Sequence, residues 1–359
     1  MKAQTKPRST RPTPRERLIA ALKGETPDRI PFSCYDSLVP QGEAVRRELF
    51  ELGLVSLKRL HPFRFRYRNV EFIQEDKTEN GEPVRVKSFT TPVGVIWQKN
   101  VFDPGYHSEW PVKHYVTAPE DYDILEYVFR DEFYEPDLEG FLAADRQYGP
   151  NGLALPRAAD PPYQELWRRF TGLERFCFDL NDHPKKIDSI FDAMNDRRRR
   201  MWEIVAAMPS DFCCSGGNIS EDMVSPPVFK KYLAPHFAEE ARIMRRAGKR
   251  TMNHMDGRLH NLLDAIGDSE VDIVEAFTPP PNGNLSVRDA RRRWKGKVLS
   301  INFPSSVHLA DNRTIRETTV SLLEEAAPGN GFVVGITEDV PVFVIERSLR
   351  TIAATLHEV

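Results

Sequence analysis

The chain has few cysteines, no long apolar run and no excess of basic charge. Its four cysteines, Cys34, Cys177, Cys213 and Cys214, form neither a CxxC pair nor the even framework of a small disulfide-stapled secreted domain. A reducing, cytoplasmic setting is the expectation. No stretch approaches the ~18 consecutive apolar residues that a membrane helix needs, so no span is expected. A formal charge of -3 offers no electrostatic case for nucleic acid or an anionic membrane, which leaves a small molecule as the expected partner. The opening MKAQTKPRSTRP is basic and proline-rich without an apolar centre, so residues 1–12 read as a frayed tail rather than a secretion signal. What is present suffices for a sizeable core: 40% hydrophobic and 29% charged residues are a globular balance. A length of 359 residues suits one elaborated barrel over residues 13–359.

Thr13, Pro14 and Glu16 have the form of a capping box with Pro at the first helical position. With Leu18, Ile19 and Leu22 as an apolar stripe, they predict a helix over 14–23, stopped by Gly24. Residues 29–32 then read as the first inner strand. The segment 84–101 is β-branched on both sides of Thr-Pro-Val-Gly, which predicts a hairpin within an insertion spanning about 69–117. From residue 150 onward, strands at 153–156, 211–215, 250–254, 271–277, 298–302 and 332–336 alternate with helices. The helices fall at 184–208, 226–247, 259–266, 287–294, 315–326 and 344–356. Alternation of this kind implies a parallel sheet, and so many units in succession favour a closed (β/α)8 barrel of the TIM type.

In such a barrel the strands are buried on both faces, so charge within them is informative. It falls at their C-terminal ends: Asn218, Glu221 and Asp222 follow the strand 211–215, and His254 and Asp256 close 250–254. Glu275 interrupts VDIVEAF, Asn302 ends 298–302, and Thr337, Glu338 and Asp339 follow 332–336. Side chains at this end converge on one mouth, where barrel enzymes do chemistry. Structural readings stand beside the functional ones. Asp222 and Asp339 also suit helix N-caps, and His254 suits a satisfied core histidine. An unpartnered carboxylate at Glu275 would cost several kcal/mol, so it requires a cation, metal or proton. Histidine with carboxylates suits zinc or a harder divalent ion, and the same residue types suit a metal-free acid/base site. The runs Arg197–Arg200 and Arg291–Arg293 read as solvated helix faces. Cys213 and Cys214, adjacent on a strand, point opposite ways and read as core. The aromatics Phe63, Phe65, Tyr67, Tyr106, Trp110 and Tyr163 fit either a flat ligand or simple packing.

The opening TPRERLIAALKGETPDRIPF, the Thr-Pro-Val-Gly hairpin, GGNISEDMVSPPVFKKYLAPHF, AGKRTMNHMDG and the closing GFVVGITEDVP resemble the uroporphyrinogen decarboxylase superfamily. The branch they resemble includes corrinoid-linked methyltransferases, and the resemblance spans nearly the whole chain. The Arg-Gln-Ala-Gly-Arg stretch of true uroporphyrinogen decarboxylases is absent, since Ile30 to Tyr35 runs on without it. In the methylcobamide:coenzyme M methyltransferases a His-x-Cys pair and a later Cys hold zinc. Those positions fall here on His254, Asp256 and Glu338, with carboxylates in place of both thiolates, so a thiol acceptor is not expected.

The resemblance implies a metal-dependent methyltransferase that moves a methyl group from a small O-methyl substrate to a corrinoid carried by a partner protein. His254, Asp256 and Glu338 would hold the ion, with zinc as the expected metal. Glu221, Glu275 and Asp256 would serve catalysis, and Asn218, Asn302 and Asp222 would bind substrate. Two alternatives remain open. One is a metal-free decarboxylase of a small carboxylated substrate, and the other a tetrapyrrole- or corrinoid-binding protein without turnover. A homodimer is the expected assembly.

Overall fold

The computed structural model describes residues 11–103 and 108–359. Most of the tail and Tyr106 therefore lie outside the described residues. Eight strands form the barrel: β1 (Phe32–Tyr35), β2 (Leu54–Leu60), β3 (Gly152–Pro156), β4 (Phe212–Ser215), β5 (Arg250–His254), β6 (Ile273–Phe277), β7 (Val298–Asn302) and β8 (Phe332–Ile336). Each runs parallel to its sequence neighbour, and β8 pairs with β1 through Phe32 and Val334. Between β3 and β4 the ring closes by the bridge of Arg157 with Cys214, where Ala158 N donates to Cys214 O at 3.0 Å. The expected barrel is thus the observed one.

Two strands differ from expectation. β1 begins at Phe32 rather than Arg29, because Pro31 has no N–H to give and the pairing with β8 continues instead through Ser33 and Cys34. β2 was not anticipated at all: Ser56, Lys58 and Arg59 break its apolar run. Alternate residues still point inward, and Val55 and Leu57 join the barrel interior.

That interior is apolar at its lower end. The helix Pro14–Leu22, held by the reciprocal bonds of Thr13 and Glu16, inserts Leu18, Ala21 and Leu22 among Leu155, Phe212, Ile273 and Val298. All three helix side chains are fully buried, so the helix plugs the barrel floor. The opposite, C-terminal face is where the polar strand ends gather. Among the described residues no helix is long and apolar enough to cross a membrane.

Between β2 and β3 the chain leaves the mouth side to build two small antiparallel sheets. One pairs Phe63–Tyr67 with Glu132–Pro136. The other holds Glu71–Glu79, Glu82–Thr91, Gly94–Asp103 and Ser108–Lys113. The Thr-Pro-Val-Gly turn joins its two middle strands as expected, with Val93 N donating to Thr91 Oγ1.

One arginine run is not a solvated face. On the helix Pro184–Ala207, Arg197 is 4% exposed and Arg198 fully buried. Arg197 donates to Glu132 at 3.0 Å and to Glu165 at 2.7 Å, and Arg198 donates to Glu165 at 2.6 Å. These acids come from distant segments and compensate charge that would otherwise be costly to bury. Arg199 remains exposed, and so does Arg292 of the second run. Cys213 packs outward with Met201 and Trp202, while Cys214 faces the barrel interior, as their adjacency requires.

Candidate metal centre

His254 is the last residue of β5, and its parity with Met252 turns it into the barrel. Beside it on β6 lies Glu275, paired in register with His254. Immediately after Glu275 the backbone takes a left-handed turn at Ala276 (φ 62°), and the pairing of β6 with β7 slips there. Bulges of this kind re-aim side chains next to functional sites. His254 Nδ1 lies 2.8 Å from Glu275 Oε2. Tyr35, at the end of β1, donates its hydroxyl to Glu275 Oε1 and lies 3.2 Å from the same imidazole nitrogen. The guanidinium of Arg59 stacks 3.5 Å over the Tyr35 ring, a cation–π contact that holds the phenol in place.

The electrostatics of this row agree with its geometry. Burial opposes charge on His254, but Glu275 and Asp256 outweigh it and hold the imidazole up at about 10. Burial likewise pushes the Glu275 carboxyl up, yet the His254 charge and bond bring it below its ordinary value. Burial and the Glu275 charge raise the Tyr35 phenol well above its usual range, so it stays a donor.

On the other side of the ring, Nε2 lies 3.6 Å from Asp256 Oδ2 and 3.8 Å from Glu338 Oε1. One ligand atom from each of the three residues lies within 4.8 Å of the others. Ligands at ~2.1 Å from a tetrahedral zinc stand ~3.4 Å apart, so the observed spacing is near that of an ion-holding set. Glu338 is presented by the loop after β8, which Asn302 anchors by accepting from Thr337 N at 2.9 Å. Burial raises the Glu338 carboxyl to about 7; the His254 charge opposes this, while Asp256 and Glu275 add to it. Three carboxylates thus crowd one imidazole, an excess of negative charge that a divalent cation would neutralise.

The chain's fold is shared with a known structure. A methyltransferase from Methanosarcina mazei superposes with a TM-score of 0.59 over 97% of this chain and 99% of that chain, at 15% identity. At that identity the likeness establishes the fold. A second structure, an IOLI protein with a bound zinc atom, covers 62% of this chain and 80% of its own at 10% identity. Its TM-score of 0.27 is too low to carry an argument. No protein-family model matches the chain, and no curated protein matches its sequence.

The structure therefore brings His254, Asp256 and Glu338 together and sets Glu275 behind the imidazole, with both of its oxygens engaged by His254 and Tyr35. With Glu275 engaging Nδ1 at 2.8 Å, an ion that displaced the second ring proton would find Nε2 as its electron-pair donor, which is how carboxylates orient metal-binding histidines. The remaining expected site residues are not among the three ligand atoms, although the loop that carries Asn218, Glu221 and Asp222 meets the centre where Asp256 N donates to Ile219 O at 3.2 Å. Glu221 ties loops together, accepting from Asn261 N at 2.6 Å and from Asn284 Nδ2 at 2.8 Å. Asp222 is exposed and accepts from Arg258. Asn218 is exposed in a left-handed conformation (φ 47°), and its carbonyl accepts from Gln164. Asn302 is buried as the anchor of the Glu338 loop. Tyr35 and Arg59 escaped sequence reasoning, although inward parity on a correctly registered β1 and β2 would have found both.

The set can hold one divalent ion with three protein ligands, which leaves a position for a substrate atom, the pattern of catalytic rather than structural sites. In the absence of an ion, a protonated His254 beside Glu338 is an acid/base pair.

Proposed function

We propose that the chain is a metal-dependent methyltransferase acting on a small O-methyl donor, with the cobalt of a separate corrinoid protein as acceptor. The observation that carries this reading is the His254, Asp256 and Glu338 set, with Glu275 fixing the imidazole tautomer behind it. The sequence resemblance described above and the shared fold with a methyltransferase support it. The donor set suits zinc, because imidazole nitrogen and carboxylate oxygen are both accepted by that borderline ion. When bound, the ion would supply Lewis acidity at the ether oxygen that departs.

The chain's own residues do the rest. His254, Asp256 and Glu338 hold the ion, and Glu275 retains the Nδ1 proton so that Nε2 faces it. Tyr35 and Arg59 brace Glu275, and Asn302 fixes the loop that carries Glu338. The test is incubation of the zinc-supplemented protein with cob(I)alamin and a panel of aryl and alkyl methyl ethers. Demethylated product that disappears on chelation and returns with zinc is expected. Demethylation that survives complete removal of metal would overturn the reading.

One observation favours a second reading: the His254 imidazole lies 3.6 Å from Asp256 and 3.8 Å from Glu338, an acid/base arrangement that would suit a metal-free decarboxylase that protonates a carbanion. Carbon dioxide release from a small aromatic acid, indifferent to chelator, would select it.

A further inference from the structure

On the mouth side, between the four-stranded insertion sheet and the loop after β3, lies a cavity of about 540 Å³. Its wall is aromatic: Phe72 packs 5.0 Å from Phe89, Phe89 lies 5.1 Å from Tyr115, and Tyr115 lies 5.7 Å from Phe170, centroid to centroid. A smaller cavity of about 140 Å³ shares Phe65, Tyr67, Phe89, Arg169 and Phe170 with it as common walls. Arg168 and Arg169 belong both to the wall and to the helical turn Trp167–Thr171 that follows β3.

These arginines are part of an unbalanced cluster. Asp160 is completely buried, and its carboxylate receives Arg157 at 2.8 Å, Arg168 at 3.0 Å and, more loosely, Arg169 at 3.6 Å. Gly216 N takes a further place on Asp160 Oδ1 at 3.0 Å. A Cβ at Gly216 would come within 2.4 Å of that oxygen, so only glycine permits the approach. Among the described residues Asp160 is the only carboxylate within 4 Å of any of the three guanidiniums. In close contact, three guanidiniums thus share one carboxylate, while Glu165 acts on Arg169 and Asp256 on Arg168 only from beyond ion-pair distance. The buried Nε of Arg157 has no acceptor, and Asn100, in the same cavity wall, has a buried carbonyl oxygen without a donor.

A concave aromatic wall with two arginines at its edge matches a particular ligand chemistry. A flat ring gains from the wall, and a planar carboxylate gains from guanidinium N–H groups in fork geometry. We propose that this cavity binds a flat aromatic carboxylate, with its ring against Phe72, Phe89 and Tyr115 and its carboxylate on Arg168 and Arg169. None of the metal-centre residues lines this cavity, so the binding site does not depend on the methyl-transfer reading.

The test is calorimetric titration of the full chain with benzoate, benzamide and inorganic phosphate, before and after removal of metal by chelation. Benzoate should bind at least about tenfold more tightly than benzamide, which lacks the charge, and than phosphate, which lacks the ring. Arg169→Gln should weaken benzoate about tenfold or more with benzamide unchanged, and Arg169→Lys should fall between. Arg168→Gln should repeat the loss in an independent variant. Equal affinity for benzoate and benzamide, or benzoate binding unchanged in both glutamine variants, overturns the proposal. Phosphate binding as tight as that of benzoate overturns its aromatic half. Benzoate binding that persists in a protein unable to hold metal would leave this site standing while removing the methyl-transfer reading. Loss of benzoate binding with metal content intact would do the reverse.

Discussion

Glu275→Gln removes one charge from the centre while keeping its volume, and the structure indicates what that should cost. Two donors converge on the carboxylate, the imidazole Nδ1–H at 2.8 Å and the Tyr35 hydroxyl. Glutamine has one acceptor oxygen, so its NH2 must face one of the two donors. The variant therefore forfeits a charge-assisted hydrogen bond in a fully buried place, worth ~1.5–3 kcal/mol. Much of that loss should appear as weaker orientation of Nε2, and carboxylates behind metal-binding histidines typically change affinity by ~10–100-fold. Competition against a chromophoric chelator should show zinc affinity reduced within that range, with stoichiometry retained at high zinc. In the metal-free variant the His254 resonance should titrate well below the value near 10 that Glu275 and Asp256 maintain in the parent. Unchanged zinc affinity, or a His254 still protonated in alkaline buffer, would refute the assignment of Glu275 to the imidazole.

Zinc binding should release protons and tighten as pH rises from 6 towards 10. His254 is raised to about 10 and Glu338 to about 7 in the free protein, so both tend to carry protons that an ion must displace; calorimetry in buffers of different ionisation heat measures the release. The metal-free protein should also lose stability with rising pH. A histidine whose folded pKa is raised stabilises fully below its unfolded value of ~6.5 and ceases to do so as pH passes 10; denaturant midpoints across that window would show the decline. Asn302→Ala should leave the barrel folded but free the Glu338 loop, weakening zinc severalfold with little change in melting temperature. Arg198→Ala should destabilise by ~3–5 kcal/mol, since it strips one of the two guanidiniums from the buried Glu165; urea denaturation measures it.

The fold was legible in the sequence where local signals agreed. β5, β7 and β8 are short runs bounded by turn residues, and they match expectation to the residue, although β5 (Arg-Thr-Met-Asn-His) is mostly polar. The helix at Pro14 carries its own start signal in Thr13 and Glu16. β2 was hidden because Lys58 and Arg59 sit in a strand whose polar end opens onto the mouth, where charge is tolerated. Arg197 and Arg198 looked solvated because their partners Glu132 and Glu165 lie 65 and 32 residues away, and only the folded chain brings them together. For the site, His254 and Asp256 were legible as near neighbours in sequence, one ending β5 and the other just beyond it. Glu338 meets them only through closure of the barrel. Glu275 meets His254 through the parallel register of β5 and β6, which carries no composition signal beyond the carboxylate itself.

The most direct test of the central claim is metal content by elemental analysis, made on the purified protein supplied with zinc and on His254→Ala and Glu338→Gln handled identically. About one ion per chain in the parent, absent from His254→Ala and reduced in Glu338→Gln, is the predicted result. A parent that retains no ion, or a His254→Ala variant with full content, would contradict the account.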